Sequence, residues 1–349
     1  MEQYKAMGSE PHSKKEAAAV SVLMTVYNEE AFIRKAIDSV LGQTWRDLEL
    51  VVVDDASTDA SPEILAEYAK RDDRIKVWHN EKNQGLINSR IRAQKLAVGK
   101  YTMIVDADDF ISADAISSAL HAMEQTGAES AAMRLYMYYS EGDIRPYSAD
   151  IFPAAISGKE AFILSVEGKL HGLCLEKREH YDTIPFDNTC RLYSDDNTAR
   201  LHYYISKKVC FCQGRYFYRQ HAASETHRVT ASRFDYIIAD ISLRRQLLNI
   251  GGDRQSLAAV EIHRWKNIVA HYHLLRNNRQ AFTPQEQHHA IEIIDRAIKS
   301  IDFSLLPRRL KIRPPYWPAH SLAVFELWQC IYIATHKILR ALRPKHTSA

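Results

Sequence analysis

Val-Ser-Val-Leu-Met-Thr-Val-Tyr-Asn-Glu-Glu (20–30) and Leu-Glu-Leu-Val-Val-Val-Asp-Asp-Ala-Ser-Thr-Asp (48–59) each join a nearly continuous apolar run to a polar cluster. Such runs are what a parallel sheet covered on both faces requires of its strands. Between them Phe32, Ile33, Ala36, Ile37, Val40 and Leu41 recur at helical spacing, which predicts a crossover helix over 29–41. Ser61-Pro62-Glu63 offers an N-cap, a proline at the first helical position and an early acid, so a helix is expected over 61–70 and a strand over 75–79. A helix over 86–98 and a strand over 101–105 continue the series. Four β-α alternations within about 85 residues predict an α/β fold with a Rossmann-like open sheet.

In such sheets ligands bind outside the carboxyl ends of the strands. Those ends carry Thr25, Tyr27 and Asn28, then Asp54 and Asp55, then Asp106-Ala107-Asp108-Asp109. Three carboxylates in four residues repel one another unless a cation sits among them, and oxygen donors of this kind suit Mg²⁺ or Mn²⁺. Asp is also a turn and cap residue, so simple loop chemistry stands as the alternative. The 54–59 cluster is open in the same way. Either it is a capped turn, or one carboxylate accepts hydrogen bonds from a base or ribose while its neighbour faces the protein.

After a helix over 113–125 the pattern changes to strands expected over 131–139, 171–176 and 207–219, a mixed β region completing the site. From Ser232 the chain reads as mainly helical, with a break at Pro314, Pro315 and Pro318. The 349 residues, 46% hydrophobic with a net charge of +3, exclude disorder, collagen and a disulfide scaffold. Five cysteines, an odd number in a long chain, read as reduced thiols, and Cys210 and Cys212 read as core packing. Neither a Gly-x-Gly-x-x-Gly nor a P-loop sequence occurs, which counts against a dehydrogenase and a P-loop enzyme. Glu261-Ile262-His263-Arg264-Trp265 is faintly similar to the Gln-x-x-Arg-Trp motif of processive polysaccharide synthases, but it departs at the first residue and falls in a helical stretch, and is read as coincidence.

Taken together with Ser-Val-Leu-Gly-Gln-Thr (39–44), Asn-Gln-Gly-Leu-Ile-Asn-Ser-Arg (83–90) and Gly-Lys-Tyr-Thr-Met-Ile-Val-Asp-Ala-Asp-Asp (99–109), the two opening stretches resemble a family 2 glycosyltransferase of GT-A fold. The resemblance covers residues 20–110 and continues more weakly to 225. It implies an inverting, metal-dependent enzyme that moves a sugar from a nucleotide-diphosphate donor, commonly UDP-linked, to a hydroxyl of a glycan or lipid-linked acceptor in a surface polysaccharide such as lipopolysaccharide or capsule. Carried across by position, it implies that Thr25, Tyr27 and Asp55 hold the nucleobase with Glu29 nearby, that Arg90 meets the charged part of the donor, that Asp106 sits against ribose or sugar, and that Asp108 ligates Mn²⁺ or Mg²⁺. Tyr218-Arg219-Gln220-His221 is similar to the segment in which a histidine completes the metal site, making His221 a candidate ligand. Inverting attack needs a base for the acceptor hydroxyl. The resemblance places it at Asp195, in Tyr193-Ser194-Asp195-Asp196-Asn197, with Asp196 as the alternative because Ser194 stands where the family has Glu. A helix cap at Ser194 or Asp195 is the structural alternative. The rival functional reading is a non-catalytic nucleotide-sugar-binding homologue or a scaffold in a glycan-assembly complex.

The expected organisation is a polar extension over 1–19, a GT-A domain over 20–231 and a helical region over 232–349. The first 19 residues hold Lys5, Lys14, Lys15 and Glu16 and no apolar core, so no secretory signal and a cytoplasmic location are expected. Residues 301–349 hold eight Lys and Arg against two acids. Within them, Leu322 to Leu342 carries an apolar stripe followed by Arg340, Arg343 and Lys345. Over 320–345 this reads either as an interfacial helix on the anionic inner membrane face or as a helix packed on the catalytic domain. No nucleic-acid partner is expected.

Overall fold

The computed structural model describes residues 19–148, 152–191, 193–221 and 229–341, with side chains to 336. Residues 1–18 of the polar extension, and Arg343 and Lys345 of the basic tail, lie outside the described residues. The chain runs β1 (Val20–Val26), α1 (Ile33–Leu41), β2 (Leu48–Asp54), α2 (Ser61–Arg71), β3 (Ile75–His79), α3 (Leu86–Leu96), β4 (Tyr101–Ile104), β5 (Phe110–Ile111) and α4 (Ala115–Thr126). It continues through β6 (Ser130–Ser140), β7 (Asp143–Pro146), β8 (Ala155–Ser157), α5 (Gly158–Val166), β9 (Cys174–Lys177), α6 (His180–Thr183), α7 (Asp195–Ile205) and β10 (Lys208–Arg219). The helices α8 (Asp235–Asn249), α9 (Arg254–Asn277), α10 (Pro284–Lys299), α11 (Arg308–Lys311) and α12 (Leu322–Ala341) follow.

The strands form one open mixed sheet in the order β3-β2-β1-β4-β9-β6-β10-β5, with β7 on β6 and β8 on β10. The first four are mutually parallel and β9 runs antiparallel between β4 and β6. Every residue of β2 is buried, as its apolar run demands. Of its two buried carboxylates, Asp54 ends the strand, and Glu49 inside it is compensated: Ser21 Oγ and the Val98 N–H donate to Oε1, and Lys76 Nζ donates to Oε2. The chain order reverses on passing from β3-β2-β1 to β4, and at that switch point a parallel sheet opens a crevice at its carboxyl ends.

The main core, built from β1, β2, α1, α4 and β10, lies on one face of the sheet, and Cys210 and Cys212 are buried in it as expected. A second core joins α8, α9, α10 and α12 around Trp265. Phe162 and Leu201 from α5 and α7 pack with Leu243, Leu247 and Val260 from α8 and α9, so the helical region bears directly on α7.

Three expected details are corrected. The first helix starts at Ile33, because the Glu29 carbonyl accepts the Phe32 and Ile33 N–H groups in a separate turn. Ser61 is not a cap. It is the first helical residue, behind Ala60, and its hydroxyl accepts the Glu29 N–H from the neighbouring loop. The strand expected over 171–176 runs from Cys174 to Lys177, since His171 uses its ring to hold the turn: Nε2 donates to the Met133 carbonyl and Nδ1 accepts the Leu173 N–H.

Candidate functional site

The loops after β1 and β2 interlock. Asn28 and Glu29 N–H groups donate to Ser57 Oγ and Ser61 Oγ, and Glu30 N–H donates to Asp59 Oδ2. In return Thr58 N–H donates to Asn28 Oδ1 and Ala60 N–H to Glu30 Oε2. Asn28 and Ala56 hold positive φ of 58° and 63°, a conformation that costs a residue with a Cβ and that the lacing keeps in place. The expected base-holding residues stand on this platform. Tyr27 is 48% exposed, whereas the buried Thr25 hydroxyl has no hydrogen-bond partner within the chain. Asp55 is buried: Asn80 Nδ2 and the Gln84 N–H donate to Oδ1, and the Gly85 N–H donates to Oδ2. Gly85 opens α3 at φ 86°, a value that suits glycine. Asp54 turns inward too, to His79 Nδ1 and the Ser57 N–H.

At the end of β4 the three carboxylates divide. Asp109 is fully buried, accepting from Tyr216 Oη and the Arg219 N–H, and Tyr216 Oη in turn accepts the Asp106 N–H. Asp108 Oδ2 lies 3.0 Å from His221 Nε2, while Arg219 Nε donates to the Asp108 carbonyl. Phe32 meets the His221 ring at 5.0 Å and lies under the Arg219 guanidinium. Burial and the Asp106 charge raise the Asp108 carboxyl against the lowering effect of His221. Burial, then Asp108, Asp106 and Asp59, push Glu29 up to about 8. This is an anionic cluster short of positive charge, with a carboxylate and an imidazole nitrogen side by side. The donor set fits a divalent cation at Asp108 and His221.

Arg90 joins the two sides of the cleft. From α3, with 5% of its surface exposed, it donates through one terminal nitrogen to Asp106 Oδ1 at 2.5 Å and through the other to Asp195 Oδ2 at 2.5 Å. Burial disfavours the charge on this guanidinium, and Asp106 and Asp195 more than offset it. Asp195 is the first residue of α7. Asp196, its side chain 53% exposed, lines the same cavity, with Arg200 at 3.7 Å. Ser194 precedes the helix without capping it through its side chain. The start of α7 is fixed instead by Asn197, whose Nδ2 donates to Asp187 Oδ2 and to the Ala239 carbonyl on α8. A cavity of about 350 Å³ opens here, lined among others by Arg90, Asp106, Asp195, Tyr218 and Tyr236.

The structure thus brings Arg90, Asp106 and Asp195 together, pairs Asp108 with His221, and sets Thr25, Tyr27, Glu29 and Asp55 along the β1 and β2 loops. Sequence reasoning missed Tyr216, Arg219, Asn80 and Asn197. Tyr216 and Arg219 lie on a strand whose alternation was readable, but nothing in that pattern says that a tyrosine hydroxyl will link two residues of a distant loop. Glu261, buried on α9, pairs with the buried Arg264 of the same helix and with Arg244 of α8.

The model for the family described as "Glycosyl transferase family 2" matches residues 21–183. Among curated proteins the chain is 30% identical over 232 residues to "Putative glycosyltransferase EpsH" of Bacillus subtilis (strain 168), covering 63% of this chain and 66%, a little under two thirds, of that one. It is 25% identical over 243 residues to "Minor teichoic acid biosynthesis protein GgaB" of the same organism, covering 66% of this chain and 26% of GgaB. Among solved structures, S. aureus TarS 1–349 in complex with UDP superimposes with a TM-score of 0.67 at 18% identity, over 90% of this chain and 91% of that one. That likeness shows a shared mixed open-sheet fold.

Proposed function

This chain belongs to glycosyltransferase family 2, and from that premise we propose that it transfers a sugar from a UDP-linked donor, with inversion, to a hydroxyl of a glycan or lipid-linked acceptor in surface polysaccharide biosynthesis of the teichoic-acid, lipopolysaccharide or capsule kind. The observation that carries the reading is the Arg90 bridge between Asp106, at the donor end of β4, and Asp195, at the start of α7. Donor and base meet there across one side chain. The surface-polymer setting is supported by the name of GgaB, and the choice of UDP by the TarS complex.

In this reading Tyr27 stacks on the nucleobase, the unpartnered Thr25 hydroxyl gives it a polar contact, and Asp55 shapes the slot by holding the 83–85 loop. Asp106 takes a ribose or sugar hydroxyl. Asp108 and His221 would hold Mn²⁺ or Mg²⁺, which supplies charge stabilisation for a departing diphosphate. Asp195 accepts the acceptor's proton through the oxygen that Arg90 leaves, as the hydroxyl oxygen bonds to the anomeric carbon and the bond to the diphosphate breaks. Glu29, raised by burial and then by the Asp108 and Asp106 charges, stands beside the carboxylates at the end of β4 rather than at Asp195.

The test is calorimetric titration of the chain with UDP, with and without Mn²⁺, beside Asp108→Ala. Binding that Mn²⁺ strengthens and Asp108→Ala abolishes is expected. UDP binding indifferent to both would sink the metal assignment.

The tail enters the same proposal as a peripheral contact with anionic lipid. No described helix is long and apolar enough to cross a membrane. On α12 the inner face, with Phe325 and Trp328, packs on the helical core, while Val324, Leu327 and Ile331 stay 41%, 54% and 37% exposed. The outer face supports the lipid contact, while the inner face packs on the core of the helical region itself and not on the GT-A domain. Deleting the helix would open the core, so Leu327→Asp with Ile331→Asp is the cleaner change. It should reduce co-sedimentation with phosphatidylglycerol vesicles, and unchanged sedimentation would remove the lipid contact.

A further inference from the structure

Away from the strand-end carboxylates, Glu176 on β9, His180 on α6 and His202 on α7 form a buried cluster. These residues are 4%, 5% and 0% exposed, and the mechanism above uses none of them. Among the described residues they make the group of three whose ligand atoms all fall within 4.8 Å of one another. The ring of His202 fixes the chemistry. Its Nε2 lies 2.7 Å from the Ile184 carbonyl, which only accepts, so Nε2 carries a hydrogen. Nδ1 lies 2.9 Å from Glu176 Oε2, and in the Nε2–H tautomer it presents a lone pair to another lone pair. A buried site tolerates that only with a cation between them, either a proton or a metal ion.

A second imidazole converges on the same atom: His180 Nδ1 lies 3.4 Å from Glu176 Oε2. With protons alone, His180 carries its hydrogen on Nδ1 and His202 shares or holds a second one against Glu176, whereas a metal ion takes the lone pairs of both nitrogens. Two nitrogens and a carboxylate oxygen converging on one point are a donor set for a divalent transition metal, and a backbone carbonyl holding the far nitrogen of a ligating histidine is the usual outer support. His171 gives the contrast within the same protein: it is satisfied at both nitrogens by backbone groups and has no carboxylate partner.

We infer that Glu176, His180 and His202 bind a divalent transition metal of the zinc class, separate from the cation at Asp108 and His221, as a structural clamp on the base-bearing helix. The inference is independent of the proposed reaction. His202 and Asp195 lie seven residues apart on α7, about two turns, and so share a face of the helix. Glu176 sits on β9, which pairs with β4 through Thr102 and so leads to Asp106. The metal would tie the helix that presents Asp195 to the strands that present Asp106, at the end opposite the Arg90 bridge.

The experiment strips the full-length chain with a chelator, adds Zn²⁺ and measures metal retained after buffer exchange, in the Asp108→Ala background that silences the other site. One equivalent retained, and lost on further His180→Leu, is the expected result. Co²⁺ in the same site should give visible d–d absorption, and X-ray absorption fine structure of the Co²⁺ form should count two imidazole ligands. That last measurement needs no second variant, so it decides the matter even where His180→Leu fails to fold. No retained Zn²⁺, or fewer than two imidazoles around cobalt, overturns the inference and leaves a proton between His202 and Glu176.

Discussion

The two halves of the cleft are built by different means. On the donor half, Tyr27, Asp55, Asp106 and Asp108 follow the ends of parallel strands, and the β1 register, with Thr25 opposite Val53 and Val26 opposite Asp54, sets the loops level with one another. On the half proposed for the acceptor, the end of β10 brings Tyr218 to the cavity, but the proposed base comes from a helix. Asp195 is held by Arg90 from α3, by the Asn197 bonds to Asp187 and Ala239, and by the apolar contact of Leu201 with α8 and α9. A parallel sheet positions functional groups through its backbone. A helix laid across the sheet depends on side chains to do so.

If that division is real, damage on one half leaves the other intact. The largest effect is expected for Asp195→Asn: sugar transfer falls by about 10²–10⁴-fold, the range for loss of a general base, while calorimetry finds UDP binding as in the wild type. Parallel loss of both would merge the halves. Next, Asn197→Ala strips the partners from Asp187 Oδ2 and the Ala239 carbonyl, and should cost about 1–3 kcal/mol in urea denaturation. UDP affinity of the folded fraction should not move, and a weakened affinity would mean that α7 also shapes the donor slot. The smallest effect concerns His171, which lines the acceptor side. Burial pulls it down to about 4, its backbone contacts only partly countering. Between about pH 6.5 and 4 the unfolded chain binds a proton that the folded chain refuses, so stability falls as pH drops through that window and is intact above it. His171→Gln should flatten the slope of melting temperature against pH there, and an unchanged slope would show that the ring is not the group responsible.

The same division explains what could be read from sequence. β1 to β4 stood out because strands buried on both faces leave apolar runs, and their ends drew attention to the clusters at 25–28, 54–55 and 106–109; the family resemblance was needed to single out Tyr27, Asp55, Asp106 and Asp108 within them. The short strands β5, β7 and β8 span two to four residues, too few to show a period. The helix α5 did carry a signal that went unread: Ser157 caps it, accepting the Glu160 N–H, in the Ser-x-x-Glu spacing. On the acceptor half Asp195 was reached through the family resemblance rather than through any local pattern. Tyr216, Asn197 and the Glu176–His180–His202 cluster draw on segments that meet only after folding, with no fixed spacing to betray them.

The interlocked β1 and β2 loops bear on how fast a nucleotide binds. Six hydrogen bonds to side chains cross between them, so the ordering entropy of the slot is met when the chain folds rather than when the ligand arrives. Amide protons at Asn28, Glu29, Glu30, Thr58 and Ala60 should then exchange as slowly as those of the strands they follow, opening only with a larger piece of the sheet. Nucleotide would enter a seat that stands ready, so the association rate would follow encounter and charge steering rather than loop closure.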